Sequence, residues 1–185
     1  MKKVCVFGTY RNLGEKEKND IIKLGRLLAS GGAAVVCGGF GGSMEYISKG
    51  AASSGGRTIG VTYYRKGEKG GKKANRYIKR EIETRNIFRR IKTMMDISDG
   101  FIVLQGGTGT LLEIAAILEH INKGMMRPKP LVAVGPYWKK LMDGLRGEDV
   151  LSKEAKIILK ADNVGDLVIF VRGVDEAASE ILRRI

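Results

Sequence analysis

The chain has 185 residues, of which 43% are hydrophobic and 29% charged, a balance typical of a globular protein with one domain, here residues 1–185. It lacks an apolar stretch of about 18 residues, and its N-terminal apolar run, Val4–Phe7, is too short for a signal peptide. We therefore expect a cytoplasmic protein without a membrane span. The formal net charge of +13 favours an anionic partner, and the alternatives are nucleic acid, a phosphorylated small molecule, or a solvated basic face without a partner.

The first part of the chain alternates short apolar strands with helices. Strands are predicted over Val4–Phe7, Ala33–Cys37 and Thr58–Val61. Helices are predicted over Asp20–Ser30 and Met44–Ser54, each followed by glycines that end it. The stretch Gly67–Lys73, rich in Gly and Lys, predicts a mobile loop.

The middle of the chain is strongly basic, since Arg65–Lys92 holds twelve Lys and Arg residues against three Glu residues. The spacing of its apolar residues predicts one long helix or two helices over Ile78–Ile97. After it, strands are predicted over Phe101–Leu104, Leu131–Val134 and Leu167–Phe170. Helices are predicted over Thr110–Asn122, Leu151–Ile158 and Val174–Leu182.

This alternation predicts an α/β protein with a Rossmann-like three-layer fold, in which a parallel sheet carries helices on both faces. Ligands of such folds bind beyond the carboxyl ends of the strands. Glycines cluster at that edge, at Gly8 after the first strand, Gly38–Gly42 after the second and Gly106–Gly109 after the fourth.

A glycine-rich turn between a strand and a helix lets the backbone approach a ligand, and the free N–H groups of the helix favour an anion there. Thr108 and Thr110 add hydroxyl donors, so a phosphate is the simplest ligand. The alternative is that the glycines only make tight turns. No Walker A sequence occurs, and the two starts of a dinucleotide fingerprint have Met44 and Leu112 where the last glycine belongs. An ordinary ATP or NAD site is therefore disfavoured.

Glu113 lies one turn inside the helix that follows these glycines. A carboxylate there gains about 0.3–1 kcal/mol from the helix dipole, so a purely structural role is one alternative. A carboxylate beside a phosphate otherwise weakens binding, which favours a chemical role slightly away from the phosphate.

The segment Gly106–Glu113 resembles the G-G-x-G-T-x-x-E core of the lysine decarboxylase-like LOG family, the cytokinin riboside 5′-monophosphate phosphoribohydrolases. Arg90 lies nine residues before Asp99, as in that family, and Gly38–Glu45 resembles its G-G-x-x-G-x-M segment. The resemblance covers roughly residues 4–140. Two positions depart from it, because Gln105 replaces the usual proline and Ile91 replaces a lysine found in many members.

The resemblance implies cleavage of a nucleoside 5′-monophosphate, AMP or a cytokinin type, to a free base and ribose 5-phosphate, with Arg90 and Glu113 as catalytic residues. Glu113 would stabilise the positive charge that develops on the ribose and orient water, and Arg90 would keep it ionised. The phosphate and nucleotide would be held by Gly8, Thr9, Gly39, Gly41, Gly42, Ser43, Met44, Arg85, Gly106, Gly107, Thr108, Gly109 and Thr110. No metal or cofactor is expected.

The same fold hosts non-catalytic proteins, among them molybdenum-cofactor carriers, so a nucleotide or phosphorylated-cofactor carrier is the alternative. Nucleic acid is the least favoured partner, because only Tyr77 and Phe88 interleave the basic stretch. His120 and the two cysteines, Cys5 and Cys37, are expected to be structural. The family resemblance implies a homodimer.

Overall fold

A computed structural model describes residues 1–63, 73–145, 151, 153, 156 and 160–185. It contains seven strands: β1 (Lys3–Phe7), β2 (Ala34–Cys37), β3 (Thr58–Tyr63), β4 (Arg80–Thr84), β5 (Gly100–Val103), β6 (Leu131–Val134) and β7 (Val168–Val171). Its α-helices are α1 (Glu15–Ser30), α2 (Ser43–Ser53), α3 (Ile87–Ile97), α4 (Thr108–Asn122), α5 (Pro136–Leu145) and α6 (Val174–Arg184), and a 3-10 turn covers Val164–Leu167.

The seven strands form one sheet in the order β4-β3-β2-β1-β5-β6-β7, and every neighbouring pair is parallel. The chain moves outward from β1 in one direction up to β4 and then in the other direction from β5 to β7. The order therefore reverses between β1 and β5, and the crevice at their carboxyl ends is the place where open α/β sheets bind ligands. The predicted Rossmann-like α/β fold is confirmed.

Helices cover both faces of the sheet because the central strands are apolar on both sides. Within β1, Cys5 and Phe7 face one core with α3, α4 and α5, while Val4 and Val6 face the other core with α1, α2 and α6. The strands β1, β2, β5 and β6 are almost entirely buried. Each of these four strands was predicted from a short apolar run without alternating polar residues, and the structure confirms all four.

The predicted helix over Ile78–Ile97 is wrong in its first half, where the structure has the edge strand β4. Ile82 matched a helical spacing, but it lies on a strand that pairs with β3 along only one side and exposes most of its residues. The helix α3 begins later, after Asn86, whose side chain accepts a hydrogen bond from the Arg89 backbone N–H at 2.9 Å.

Other differences concern the ends of elements. The helix α1 begins at Glu15, five residues before the prediction, because the Glu17 carboxylate accepts the Gly14 N–H at 3.0 Å and caps a polar first turn. The helix α5 was not predicted. The predicted Gly67–Lys73 loop and the predicted Leu151–Ile158 helix lie largely outside the described residues. Among the described helices, none has the length and apolar character needed to cross a membrane.

Candidate functional site

Three loops converge at the carboxyl ends of β1, β2 and β5, and side-chain hydroxyls tie them together. The Thr9 carbonyl, just after β1, accepts hydrogen bonds from the Ser43 N–H and the Ser43 hydroxyl, each at 2.8 Å. The Gly8 carbonyl accepts the Thr110 hydroxyl at 3.1 Å. Ser43 and Thr110 were both predicted to contact phosphate, but in the structure their hydroxyls donate to the turn after β1.

The loop between β5 and α4 leaves empty space beside two of its glycines. A side chain at Gly107 or Gly109 would meet no atom within 4 Å, whereas one at Gly106 would collide with Thr110. Gly107 is also the N-cap of α4 and offers no side-chain acceptor. The first N–H groups of α4 therefore have neither intrahelical partners nor a capping side chain, and they border open, solvent-exposed space beside Thr108. This is a suitable place for an anion.

The loop between β2 and α2 is packed against other parts of the chain. A side chain at Gly38 would overlap the Arg90 guanidinium and the Met44 sulfur, and one at Gly39 would lie 2.9 Å from a Thr62 methyl group. Gly42 adopts a φ of +66° and lies against the Thr9 carbonyl. Most of these glycines thus make room for protein atoms.

Gly41 is the exception in that loop, because a side chain there would meet no atom within 4 Å. Three of the predicted phosphate-binding glycines, Gly41, Gly107 and Gly109, therefore border open space. Two others, Gly39 and Gly42, combine a positive φ with close contacts to the protein.

Arg90 is held in a buried position under the β2–α2 loop and is 7% exposed. Its Nε donates a hydrogen bond to the Val61 carbonyl at 2.7 Å, and its Nη2 lies 3.6 Å from the Met44 sulfur. Its guanidinium carbon is 5.5 Å from the centre of the Phe40 ring and 5.6 Å from that of the Tyr63 ring. These contacts leave Nη1 pointing to the β5 side of the site.

Glu113 meets Arg90 across the boundary between the two loops. Its Oε1 lies 3.7 Å from Arg90 Nη1, which is too long for a hydrogen bond, and the residue is 8% exposed. No hydrogen bond from any other described residue reaches the carboxylate. The buried guanidinium and the buried carboxyl group therefore face each other without a hydrogen bond between them.

Burial raises the pKa of Glu113 to about 7, and the nearby Arg90 charge lowers it only in part. Near neutral pH the carboxyl group is thus partly protonated and partly ionised, and the fraction that is charged depends on the pH. A group with this pKa is suited to proton transfer, and it also tolerates an anion nearby when protonated.

The other residues singled out in the sequence lie away from the Arg90–Glu113 pair or are buried in the core. Arg85 is exposed in the short connection between β4 and α3 and makes no hydrogen bond or ion pair with another described residue. His120 Nδ1 lies 2.7 Å from the Ala116 carbonyl one turn earlier in α4. Cys5 and Cys37 are free and buried, and burial raises the pKa of both thiols.

Sequence reasoning missed the residues that shape the β2–α2 loop. Asn75 donates its backbone N–H to the Gly39 carbonyl at 2.7 Å and its side-chain N–H groups to the carbonyls of Gly39 and Phe40 at 3.1 and 2.9 Å. Asn75 lies in an irregular segment, and nothing in its local sequence marks this role. Phe40 and Tyr63 were missed as well, although an aromatic residue among glycines is a visible signal.

Among the described residues, no group of three or more His, Cys, Asp or Glu side chains is placed to hold a metal ion. The described site presents backbone N–H groups, the Thr108 hydroxyl, one guanidinium and one carboxyl group.

Comparison with known proteins gives a family match and a set of similar folds. Residues 1–134 match the model of the SLOG cluster4 family. An uncharacterized protein from Archaeoglobus fulgidus is 31% identical over 113 residues, which are 61% of this chain and 72% of that protein.

Two similar solved structures are a molybdenum cofactor binding protein from Rippkaea orientalis and a molybdenum cofactor carrier protein from Chlamydomonas reinhardtii. The first has a TM-score of 0.73 at 21% identity and covers 97% of this chain and 94% of its own. The second has a TM-score of 0.70 at 21% identity and covers 98% and 96%. At this level of identity the likeness establishes a shared fold.

Proposed function

The chain belongs to the SLOG cluster4 family, and from this premise we propose that it is a non-catalytic binding or carrier protein for a nucleotide or another phosphorylated cofactor. The ligand lies at the carboxyl edge of the sheet, in the crevice between β1 and β5. The observation that carries this proposal is the open space beside Gly107 and Gly109 at the uncapped start of α4.

The start of α4 provides the two things that a phosphate requires. Its first N–H groups have no hydrogen-bond partner among the described residues, and the helix dipole places partial positive charge there. The absence of side chains at Gly107 and Gly109 lets phosphate oxygens reach these N–H groups, and Gly41 in the β2–α2 loop likewise borders open space. Two proteins of the same fold are named as binding or carrying the molybdenum cofactor, which supports a phosphorylated cofactor as the cargo.

The contacts of Arg90 favour binding over turnover. Its Nε and Nη2 are engaged by Val61 and Met44, and its guanidinium is enclosed by aromatic rings. Arg90 therefore serves first as a support for the β2–α2 loop. Its Nη1 makes no hydrogen bond within the described residues, and it faces Glu113 at 3.7 Å.

Calorimetric titration with AMP and with ribose 5-phosphate tests the proposal. Gly109→Ala adds one methyl group where the phosphate approaches and should weaken both ligands about tenfold or more, while the fold remains stable because Ala favours helix. Gly144→Ala in α5 is the matched control, since it also meets no atom within 4 Å and lies away from the site. If Gly109→Ala binds both ligands like the wild type, the site is elsewhere.

A second candidate is the phosphoribohydrolase activity implied by the LOG-family resemblance. The observation in its favour is the buried Arg90–Glu113 pair with a Glu113 pKa of about 7. In this mechanism, the ionised Glu113 stabilises positive charge on the ribose and takes a proton from water, while Arg90 supports the ionised form.

One assay separates the two functions. The protein is incubated with a panel of nucleoside monophosphates, and free base is measured by chromatography. Released base that disappears in Glu113→Gln supports the hydrolase. Tight binding without released base supports the carrier.

A further inference from the structure

The solvent-facing side of α3 carries an aromatic ring among cations. Phe88, Arg89 and Lys92 lie on one side of α3, at intervals of one and three residues, and Arg85 lies in the connection just before the N-cap Asn86. All four are exposed, and Phe88 is exposed by 71%. The buried side of the helix is formed by other residues, including Ile91 and Met94.

The positive charges on this surface are largely unpaired. The guanidinium groups of Arg85 and Arg89 make no ion pair or hydrogen bond with another described residue, and only Lys92 is paired, with Asp96 at 2.6 Å. By contrast, several basic residues on α1 and α6, which cover the other face of the sheet, form ion pairs. Lys16 pairs with Asp20 on α1, and both Arg183 and Arg184 pair with Glu180 on α6.

Within the described part of the chain, Phe88 belongs to neither of the two hydrophobic cores. It lies off the apolar side of α3, so its ring contributes little to the core. A second copy of the chain is a poor partner for it, because a two-fold interface on this surface would bring two equally basic surfaces together. An anionic partner with flat apolar faces satisfies both the cations and the ring.

We propose that this α3 surface binds single-stranded nucleic acid, with phosphates on Arg85 and Arg89 and one unpaired base stacked on Phe88. Guanidinium groups bind phosphate oxygens through several N–H donors, and stacking on an exposed aromatic ring is tolerant of base identity. A duplex hides its base faces and would gain only the phosphate contacts. The sequence alone gave nucleic acid little weight because aromatic residues are few, but the structure places Phe88 outward between the cations.

Fluorescence anisotropy with a labelled oligo(dT) of about 20 nucleotides tests this surface at several salt concentrations. We expect Phe88→Leu to weaken binding about tenfold with an unchanged salt slope, because the lost interaction is stacking. Phe88→Trp should bind at least as tightly as the wild type. Arg89→Gln should reduce the slope of log affinity against log salt by about 0.7, as expected for one phosphate contact.

Lys16→Gln is the matched control for Arg89→Gln, because it removes the same charge from an exposed helix on the other face. The proposal is overturned if the two variants have the same effect, if Phe88→Leu binds like the wild type, or if a duplex of the same length binds as tightly as the single strand. These variants replace exposed side chains and leave Gly107, Gly109, Arg90 and Glu113 unchanged, so the test addresses the α3 surface and not the phosphate site.

Discussion

The loop after β2 and the loop after β5 are both rich in glycine, but the glycines serve different purposes in the two places. In the β2–α2 loop, Gly38 and Gly39 lie against Arg90 and Thr62 and have no room for a side chain. In the β5–α4 loop, Gly107 and Gly109 border open space. The loop after β2 is therefore largely closed around the protein's own arginine, and the loop after β5 leaves open space at the start of α4.

The difference explains why the site contains a buried ion pair. Gly38 makes room for Arg90 from the β2 side, and Glu113 arrives from the β5 side on α4. The two groups meet at 3.7 Å. The closed loop thus encloses the Arg90 guanidinium, which α3 supplies, and the open loop leads into α4, which carries Glu113 and the uncapped N–H groups of its first turn.

The largest expected effect comes from closing the space that Arg90 occupies. Gly38→Ala places a methyl group where Arg90 Nη2 and the Met44 sulfur lie, so the guanidinium must leave its buried position. We expect the free energy of unfolding, measured by urea denaturation, to fall by about 3 kcal/mol or more, because overpacking and the loss of the Arg90 hydrogen bond to the Val61 carbonyl act together. Gly41→Ala in the same loop is the control and should change stability by less than about 0.5 kcal/mol. Equal stability of the two variants would contradict the conclusion that Gly38 has no room for a side chain whereas Gly41 has.

A second expected effect lies at the boundary of the two loops and depends on pH. The folded state holds the Glu113 proton more tightly than the unfolded chain, since burial raises the pKa from 4.5 to about 7. The raised pKa therefore adds to the free energy of unfolding at low pH. This stabilisation is fully present below about pH 4.5 and is lost as the pH rises through about 7. Glu113→Gln removes the dependence and should be more stable than the wild type by on the order of 3 kcal/mol at pH 8, with little difference at pH 4.5.

Urea denaturation across this pH range measures the effect, and Glu119→Gln on the exposed side of α4 is the control. If the stability difference between Glu113→Gln and the wild type is the same at pH 4.5 and pH 8, the buried carboxyl does not titrate in this range.

The sequence was sufficient for the parts of the fold that depend on local pattern. Uninterrupted apolar runs identified β1, β2, β5 and β6, and the glycines after them located the carboxyl edge. The edge strand β4 was missed because its exposed, charged residues resemble a helix surface. The start of α5 was overlooked although Pro136, a residue suited to a first helical position, marks it.

The candidate site was predictable only in part, for a physical reason. Family resemblance singled out Arg90 and Glu113, and the structure brings them together. Whether a glycine faces a guanidinium, as Gly38 does, or open space, as Gly109 does, depends on contacts with distant segments. Asn75 illustrates the same limit, because its three hydrogen bonds to the β2–α2 loop cross more than thirty residues of sequence.

A third prediction sharpens the comparison through the ligand. If a phosphate lies at the open loop, the ionised Glu113 nearby repels it, and Glu113→Gln should bind AMP about threefold to tenfold more tightly than the wild type at pH 8. At pH 5.5 the difference should nearly vanish, because the wild-type carboxyl is then protonated. Calorimetry at the two pH values measures it, with Glu119→Gln as the control. Equal affinities at pH 8 would place the phosphate far from Glu113.

The smallest expected effect concerns the hydroxyls that tie both loops to the turn after β1. Thr110→Val keeps the shape of the side chain but removes the donor to the Gly8 carbonyl, and it should lower the free energy of unfolding by about 1 kcal/mol. Ser43→Ala should cost less, since the Thr9 carbonyl keeps the Ser43 N–H at 2.8 Å as a partner. Urea denaturation of the two variants, each side chain being almost fully buried, gives the comparison directly. A larger loss for Ser43→Ala than for Thr110→Val would mean that the closed loop, and not the open one, depends more on its side-chain hydroxyl.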